Sequence, residues 1–246
     1  MTLFQSLTDY TIFSLVLSLS CFIQGILGFG FVILGLPVLL LLGFQDKSLV
    51  GVFIGLSFFV NLFMLYQHKD SIKETPKPIY LVMGGLIVIY PSLRYLTSVN
   101  VDQYTVYLGA LVLILTTLLA FKLQIKVKRQ GLYLALVGAL SGVMQVVFAM
   151  SGPFLAFFLA QKKEHVRIFK TRMILYYTVM NIVTLAAYLS QGLLTSSTLV
   201  AALPLIVPTC MGLSAGHYCT RFISTAVFRR LLVMMLYLIA VILMLR

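Results

Sequence analysis

Two long apolar stretches, each interrupted by glycine, a small polar group and proline, constrain this chain more than any other feature. One interruption runs Gln24 to Pro37, QGILGFGFVILGLP, and the other Ser141 to Pro153, SGVMQVVFAMSGP. They lie about 115 residues apart, each within about thirty apolar residues. In lipid a broken helix strands backbone N–H and C=O groups without partners. Such breaks persist where protein or a water-filled cavity covers them, which is where transporters keep their substrate sites. The pattern points to a membrane transporter of small solutes.

Composition agrees with that setting. The 246 residues are 61% hydrophobic and 10% charged, with a mean hydropathy of +1.07. A soluble domain is roughly 45–50% apolar and 25% charged, so the chain reads as an all-α, polytopic integral membrane protein. A net charge of +12 would suggest nucleic acid in a soluble chain. Here the basic residues fall in the short gaps between apolar segments, where the positive-inside rule accounts for them, and nucleic acid is not an expected partner. Cys21, Cys210 and Cys219 form no metal-ligand spacing and read as small buried hydrophobes, so no metal and no cofactor is expected. No Lys or Arg precedes Lys47, so the first apolar stretch lacks the basic n-region of a signal peptide and is expected in the mature protein.

In chain order, residues 11–44 form the first apolar block, 34 residues where one crossing needs about 20. It is either one tilted helix or a re-entrant hairpin of two half-helices turning around Gly28-Phe29-Gly30 up to Pro37. Spans follow at about 48–67, 79–97 and 103–122, with KETPK (Lys73 to Lys77) as a loop and Asn100-Val101-Asp102 as a helix start. The tract Lys122 to Arg129 then divides the chain. The second half repeats the plan, with a broken block at 131–161 and spans at about 171–190, 196–218 and 226–245. Asn61 lies 24 residues beyond Pro37 and Asn181 lies 28 beyond Pro153, and each precedes a tyrosine, Tyr66 and Tyr188. The layout predicts two repeats, 1–124 and 125–246.

Charge decides between hairpin and single crossing. If both blocks cross once, the basic residues divide eight to ten. If both turn back, fifteen share one side against three (Lys47, Arg94 and Arg246). The positive-inside rule favours the second arrangement. Both termini then face out, each repeat is a re-entrant hairpin plus three transmembrane helices, and the odd number of spans inverts one repeat relative to the other.

Those features together resemble the sulfite exporter TauE/SafE family of bacterial anion transporters. The resemblance is carried by QGILGFGFVILGLPVLLLLG (Gln24 to Gly43), SGPFLAFFLA (Ser151 to Ala160) and FKTR (Phe169 to Arg172). Leu203-Pro204, Gly212 with Gly216, and Phe228-Arg229-Arg230 complete it. The chain departs from the commoner pattern at Gln145 and Val146, in a usually glycine-rich run, and at Phe154, where a second proline is frequent. The resemblance implies a multi-pass protein of the bacterial inner membrane that exports or imports a small sulfur-containing or organic anion.

The residue chemistry agrees with an anion. A half-helix starting in mid-membrane presents free N–H groups and the positive end of its dipole. Ser151 suits its N-cap, with Gly152 and Pro153 opening the helix. Gly25, Gly28 and Gly30 would let backbone approach a ligand closely, and Gln24, Asn61, Ser141, Gln145 and Asn181 are uncharged donors for an oxyanion. The alternative is that the glycines pack helices and the amides bond neighbouring helices. None of the six acids falls inside an apolar span, which argues against a carboxylate proton relay. Lys170 and Arg172 open a span on the basic side, either as topology signals or as a cytoplasmic vestibule drawing anions. His217, beside Arg221, reads as an interfacial histidine.

Gly212-Leu213-Ser214-Ala215-Gly216 matches G-x-S-x-G, the nucleophile elbow of hydrolases, but that elbow needs a strand-to-helix turn. Gly212 and Gly216 read instead as a small-xxx-small contact, like Gly51/Gly55 and Gly138/Gly142, and Pro204 and Pro208 as a kink. A secondary transporter working by alternating access is therefore expected rather than an enzyme. Its expected partners are a small anion, lipid, a coupling ion (H+ or Na+) and a second copy in a homodimer. The rival readings are an anion channel or uniporter, an intramembrane hydrolase using Ser214, and a non-transporting assembly factor.

Overall fold

The computed structural model describes residues 6–27, 30–44, 48–120, 130–159, 166–219, 222, 233, 234, 237 and 239–242, and the described secondary structure is entirely helical. Helix α1, Leu7–Leu27, opens with a reciprocal cap. The Asp9 N–H donates to Ser6 Oγ at 3.1 Å, and the Ser6 N–H donates to Asp9 Oδ2 at 3.1 Å. The chain turns at Gly30, whose φ of 133° only glycine adopts without strain, into α2, Phe31–Leu41. Helix α2 folds back along α1. Gly30 lies against Ile23, Gly35 faces Ser20 Oγ, and the Phe44 ring meets Phe13 edge-on with centroids 4.7 Å apart. The end of α2 is closed by Gly43 at φ 99° and by a Phe44 N–H donating to the Leu39 carbonyl at 3.1 Å.

Two details of the first block differ from the sequence reading. Its arms are unequal: α1 has 21 residues, enough to cross a membrane alone, and α2 has 11. Two half-helices are thus corrected to one full-length arm and one short one, because α1 starts at Leu7, ahead of the apolar block, and the turn at Gly30 leaves Phe31–Leu41 for the second arm. Pro37 does not end a helix either, since it is buried inside α2. It removes the N–H that would otherwise bond the Ile33 carbonyl one turn earlier.

Helix α3 (Ser48–Gln67) is followed by the short α4 (Lys69–Ile72), then by α5 (Ile79–Ile87) and α6 (Ile89–Ser98), which divide one apolar span at Val88. Helix α7 is Val101–Ala120. The second block forms α8 (Gln130–Phe148) and α9 (Gly152–Leu159), unequal in the same sense as the first. Then come α10 (Val166–Ser190), α11 (Ser196–Ala202), a 3₁₀ turn at Leu203–Leu205 and α12 (Ile206–Cys219). The 3₁₀ turn falls at Pro204, where a kink is expected, because proline removes a helix donor.

Among the described residues, six stretches are long and apolar enough to cross a membrane: 7–26, 48–67, 79–98, 131–148, 167–190 and 196–219. The span expected at 226–245 lies mostly outside the described residues.

Glycine faces hold the bundle together. Gly212 and Gly216 of α12 rest on the Ser18 and Phe22 carbonyls of α1, and Gly25 of α1 rests on the Leu213 carbonyl, so α1 and α12 run parallel at backbone contact. Helices α5 and α8 repeat the arrangement. Gly138 rests on the Leu81 carbonyl, Gly84 on the Ala135 carbonyl, and Gly142 against Gly85. Between these pairs α3 and α10 cross antiparallel, with Gly51 beside Tyr188 and Gly55 beside Leu185. Close backbone approach of this kind is how helices associate in lipid, where apolar side chains gain nothing by leaving solvent. Tyr80, Tyr90, Ile87, Val207 and Met211 are exposed on the outer faces, where lipid would cover them.

Ser214 is exposed on the face of α12 away from those contacts, on a continuous helix. The geometry of a nucleophile elbow is absent there.

Candidate functional site

The two short helices begin at the same place. A cavity of about 50 Å³ separates the start of α2 from the start of α9, and α1, α3, α8 and α10 close its sides. One buried water needs roughly 10–15 Å³ on the same scale, so the space suits a small ion with little accompanying water.

On the first side Gln24 Oε1 accepts the Phe31 N–H at 3.1 Å, satisfying the first orphan donor of α2. The Leu34 N–H reaches the Gly30 carbonyl at 3.2 Å. The N–H groups of Val32 and Ile33 lie between, at positions with no acceptor inside the helix, and both residues line the cavity. Gln24 is oriented at its other end by Nε2, 3.6 Å from Met64 Sδ of α3.

The second side is built alike. Helix α8 stops at Phe148, and Ala149 takes φ 54°, the one described non-glycine residue with positive φ. The Met150 N–H donates back to the Met144 carbonyl at 3.1 Å. Ser151 is the N-cap of α9, its carbonyl accepting the Leu155 N–H at 2.9 Å. Its hydroxyl donates to Gln145 Oε1 at 2.6 Å, and Gln145 Nε2 donates to Asn181 Oδ1. Tyr177, one turn before Asn181, donates its hydroxyl to the Gly152 carbonyl at 3.2 Å. Tyr188 does the same to the Val146 carbonyl. The Val146 carbonyl stranded by the break is thus met from α10, and the first residue of α9 is tied to the same helix.

Both sides share a spacing. Gln24 stands seven residues before Phe31, and Gln145 seven before Gly152, the first residue of each short helix. Ser57 and Asn61 of α3 line the cavity one turn apart, as do Tyr177 and Asn181 of α10. No lining residue carries a charge. The field inside comes from two helix N-termini, each equivalent to roughly half a positive charge, and from neutral donors.

The structure brings Gln24, Gly30, Asn61, Gln145, Ser151, Gly152 and Asn181 to this cavity. Two other candidates lie elsewhere. Gly25 is at the α1–α12 contact. Ser141 is fully buried one turn before Gln145, and its hydroxyl has no hydrogen-bond partner among the described residues. Gly28 is outside the described residues. Pro153 is the second residue of α9. Ser57, Tyr177, Ala149, Met150 and the stretch from Phe31 to Ile33 complete the wall, and sequence reasoning did not single them out. A signal existed, because Ser57 and Tyr177 each precede a singled-out Asn by four residues, one turn on the same face.

Lys170 is half-buried and Arg172 is 6% exposed, both in the first turns of α10. Near them Arg167 lies 4.0 Å from Asp70 of α4, with both side chains largely exposed, a pair that contributes little stability. His68, half-buried at the end of α3, places Nδ1 3.0 Å from the Met64 carbonyl. Burial first, and then the charges of Lys170, His217 and Arg167, hold its pKa below the ordinary histidine value. No group of three His, Cys, Asp or Glu residues among the described residues could hold a metal ion.

A family model described as sulfite exporter TauE/SafE matches residues 13–243. No curated protein and no solved structure matches the chain.

Proposed function

We propose, from the premise that this chain belongs to the sulfite exporter TauE/SafE family and is a membrane transporter of that type, that its cargo is a small oxyanion bound between the α2 and α9 N-termini. Sulfite, a short sulfonate or a small carboxylate fits the space. The observation that carries this reading is the pair of helix starts facing one neutral, amide-lined cavity. Such a site attracts negative charge without a fixed cation that would hold the anion too tightly to release. The carboxamides of Asn61, Gln145 and Asn181 then choose among anions by geometry.

The parallel construction of the two sides supports an inverted repeat, with α1–α3 answering α8–α10. The fifteen-to-three division of basic residues that the hairpin arrangement would give, against eight to ten for single crossings, supports placing both termini outside the inner membrane. Alternating access would expose the cavity to each side in turn. Flux of sulfite and short sulfonates into proteoliposomes tests the reading. Gly152→Leu, which fills the space at the α9 start, should abolish flux, while Ser214→Ala leaves it unchanged. Concentrative uptake driven by an ion gradient separates a carrier from a passive channel. Cysteine labelling at Lys47 and Lys126 should place them on opposite faces, and labelling from one face refutes the topology.

A further inference from the structure

We propose that His68 is the proton-coupling group of this transporter, its imidazole gaining a proton as an anion occupies the cavity and losing it as the anion leaves. The proposal rests on the anion reading above and adds the coupled ion to it.

The geometry begins at Met64. Its sulfur lies 3.6 Å from Gln24 Nε2 at the cavity wall, and its carbonyl lies 3.0 Å from His68 Nδ1 one turn on. A carbonyl only accepts, so Nδ1 carries the hydrogen and Nε2 is left to receive the second proton. His68 stands seven residues beyond Asn61, about 10 Å along the α3 axis. No cavity-lining residue is an acid, a histidine or a lysine, so a group that titrates near neutrality has to come from outside the wall, and His68 is linked to it through Met64.

Its surroundings set the direction of the change. The charges of Lys170 and Arg167 from α10 and of His217 from α12 act on it, against the Met64 carbonyl that favours the charged ring. From α4 come Asp70, drawn to Arg167, and Lys69, which lies over the Tyr66 ring at 5.4 Å. With the cavity empty, burial and neighbouring cations favour the neutral ring. An anion in the cavity brings a negative charge that opposes those cations, so the imidazolium becomes cheaper and a proton enters from solvent. By reciprocity, a protonated His68 raises anion affinity by the same factor. A proton taken up with a monovalent anion offsets its charge in the loaded step. Affinity is therefore highest at acid pH and is lost as pH rises through the pKa of the loaded state.

The test uses the full chain and methanesulfonate, an anion that stays ionised across the range and so contributes no titration of its own. Binding is measured from about pH 5 to pH 8, the range in which histidine titrates. The wild type should bind on the order of tenfold tighter at the acid end, the effect of a unit charge at about 10 Å and an effective dielectric near 20. His68→Gln should bind weakly with a flat profile, while His217→Gln keeps the wild-type slope. Addition of methanesulfonate to wild-type protein in weak buffer should also draw protons from solution. A wild-type slope in His68→Gln, or anion binding without proton uptake, overturns the proposal. If the wild type binds neither methanesulfonate nor sulfite at any pH, the anion reading itself falls, and this one with it.

Discussion

At the residue scale the site depends on Gln145, which uses both ends of its carboxamide. It accepts from Ser151 and donates to Asn181, so one side chain ties the α8 end, the α9 N-cap and the middle of α10 together. All three are buried, where an unpaired amide costs about 1–3 kcal/mol. Asn181→Ala strands the Gln145 donor and also removes a wall of the cavity. The variant should lose roughly ten- to hundredfold in sulfite affinity, the range of a charge-assisted hydrogen bond of about 1.5–3 kcal/mol, as read by competition binding. Tyr188→Phe, which frees the Val146 carbonyl outside the cavity, should lower thermal stability and leave affinity within about threefold, a small fraction of the charge-assisted value. If the two variants lose affinity equally, the cavity is not where the anion sits. Asn61, Gln145 and Asn181 were legible in the sequence because polar amides are rare in such apolar runs. Ser141 stood out for the same reason and shares a helix face with Gln145, yet it lies one turn further back along α8 and outside the cavity, since composition does not say how far along a face the cavity reaches. Tyr177 and Ser57 were passed over because tyrosine and serine are ordinary in membrane helices, and their meaning comes only from the turn they share with Asn181 and Asn61.

At the element scale the glycine-bearing faces separate into two kinds. Gly212 and Gly216 abut α1 carbonyls, and Gly138 abuts the Leu81 carbonyl, whereas a methyl added at Gly55 would meet the Leu199 side chain and one added at Gly131 would stand 3.5 Å from the Tyr80 ring. Backbone cannot step aside as a side chain can, so an added methyl at the first group forces helices apart. Gly212→Ala and Gly138→Ala should each lower stability by about 1–3 kcal/mol, the usual cost of overpacking, and Gly131→Ala should be near neutral in the same thermal melt. Equal melting of all three would mean that the helices do not meet at backbone distance. Helix positions were largely readable from apolar runs and polar gaps, and Gly212/Gly216 from their spacing. The division of span 79–98 at Val88 was passed over, although Pro91 in the first turn of α6 marks it by removing the donor for the Ile87 carbonyl. Pro37 misled for the opposite reason: proline signals a break from sequence alone, yet here the break is made by glycine at position 30.

At the scale of the whole molecule the tightest contacts cross the sequence halves. Helix α1 packs on α12, and α8 packs on α5, so each broken block is bound at backbone distance to a helix from the other half. Rocking of residues 1–124 against 125–246 as rigid bodies would tear both interfaces. The alternation proposed above is better served by different bodies, α1, α2 and α12 on one side and α5, α8 and α9 on the other. Helices α3 and α10 cross between them, and side-chain contacts at Gly51 and Gly55 can slide there without backbone separation. Two cross-links in a cysteine-free background distinguish the schemes. A pair at Phe22 and Leu213 joins α1 to α12 within one body and should leave sulfite flux near the uncrosslinked rate. A pair at Val32 and Met150, both on the cavity wall, joins the two bodies across the site and should stop flux until the link is cleaved. Loss of flux from the first pair would instead assign the motion to the sequence halves. Flux surviving the second would show that transport needs no separation of the hairpin tips, as in a channel.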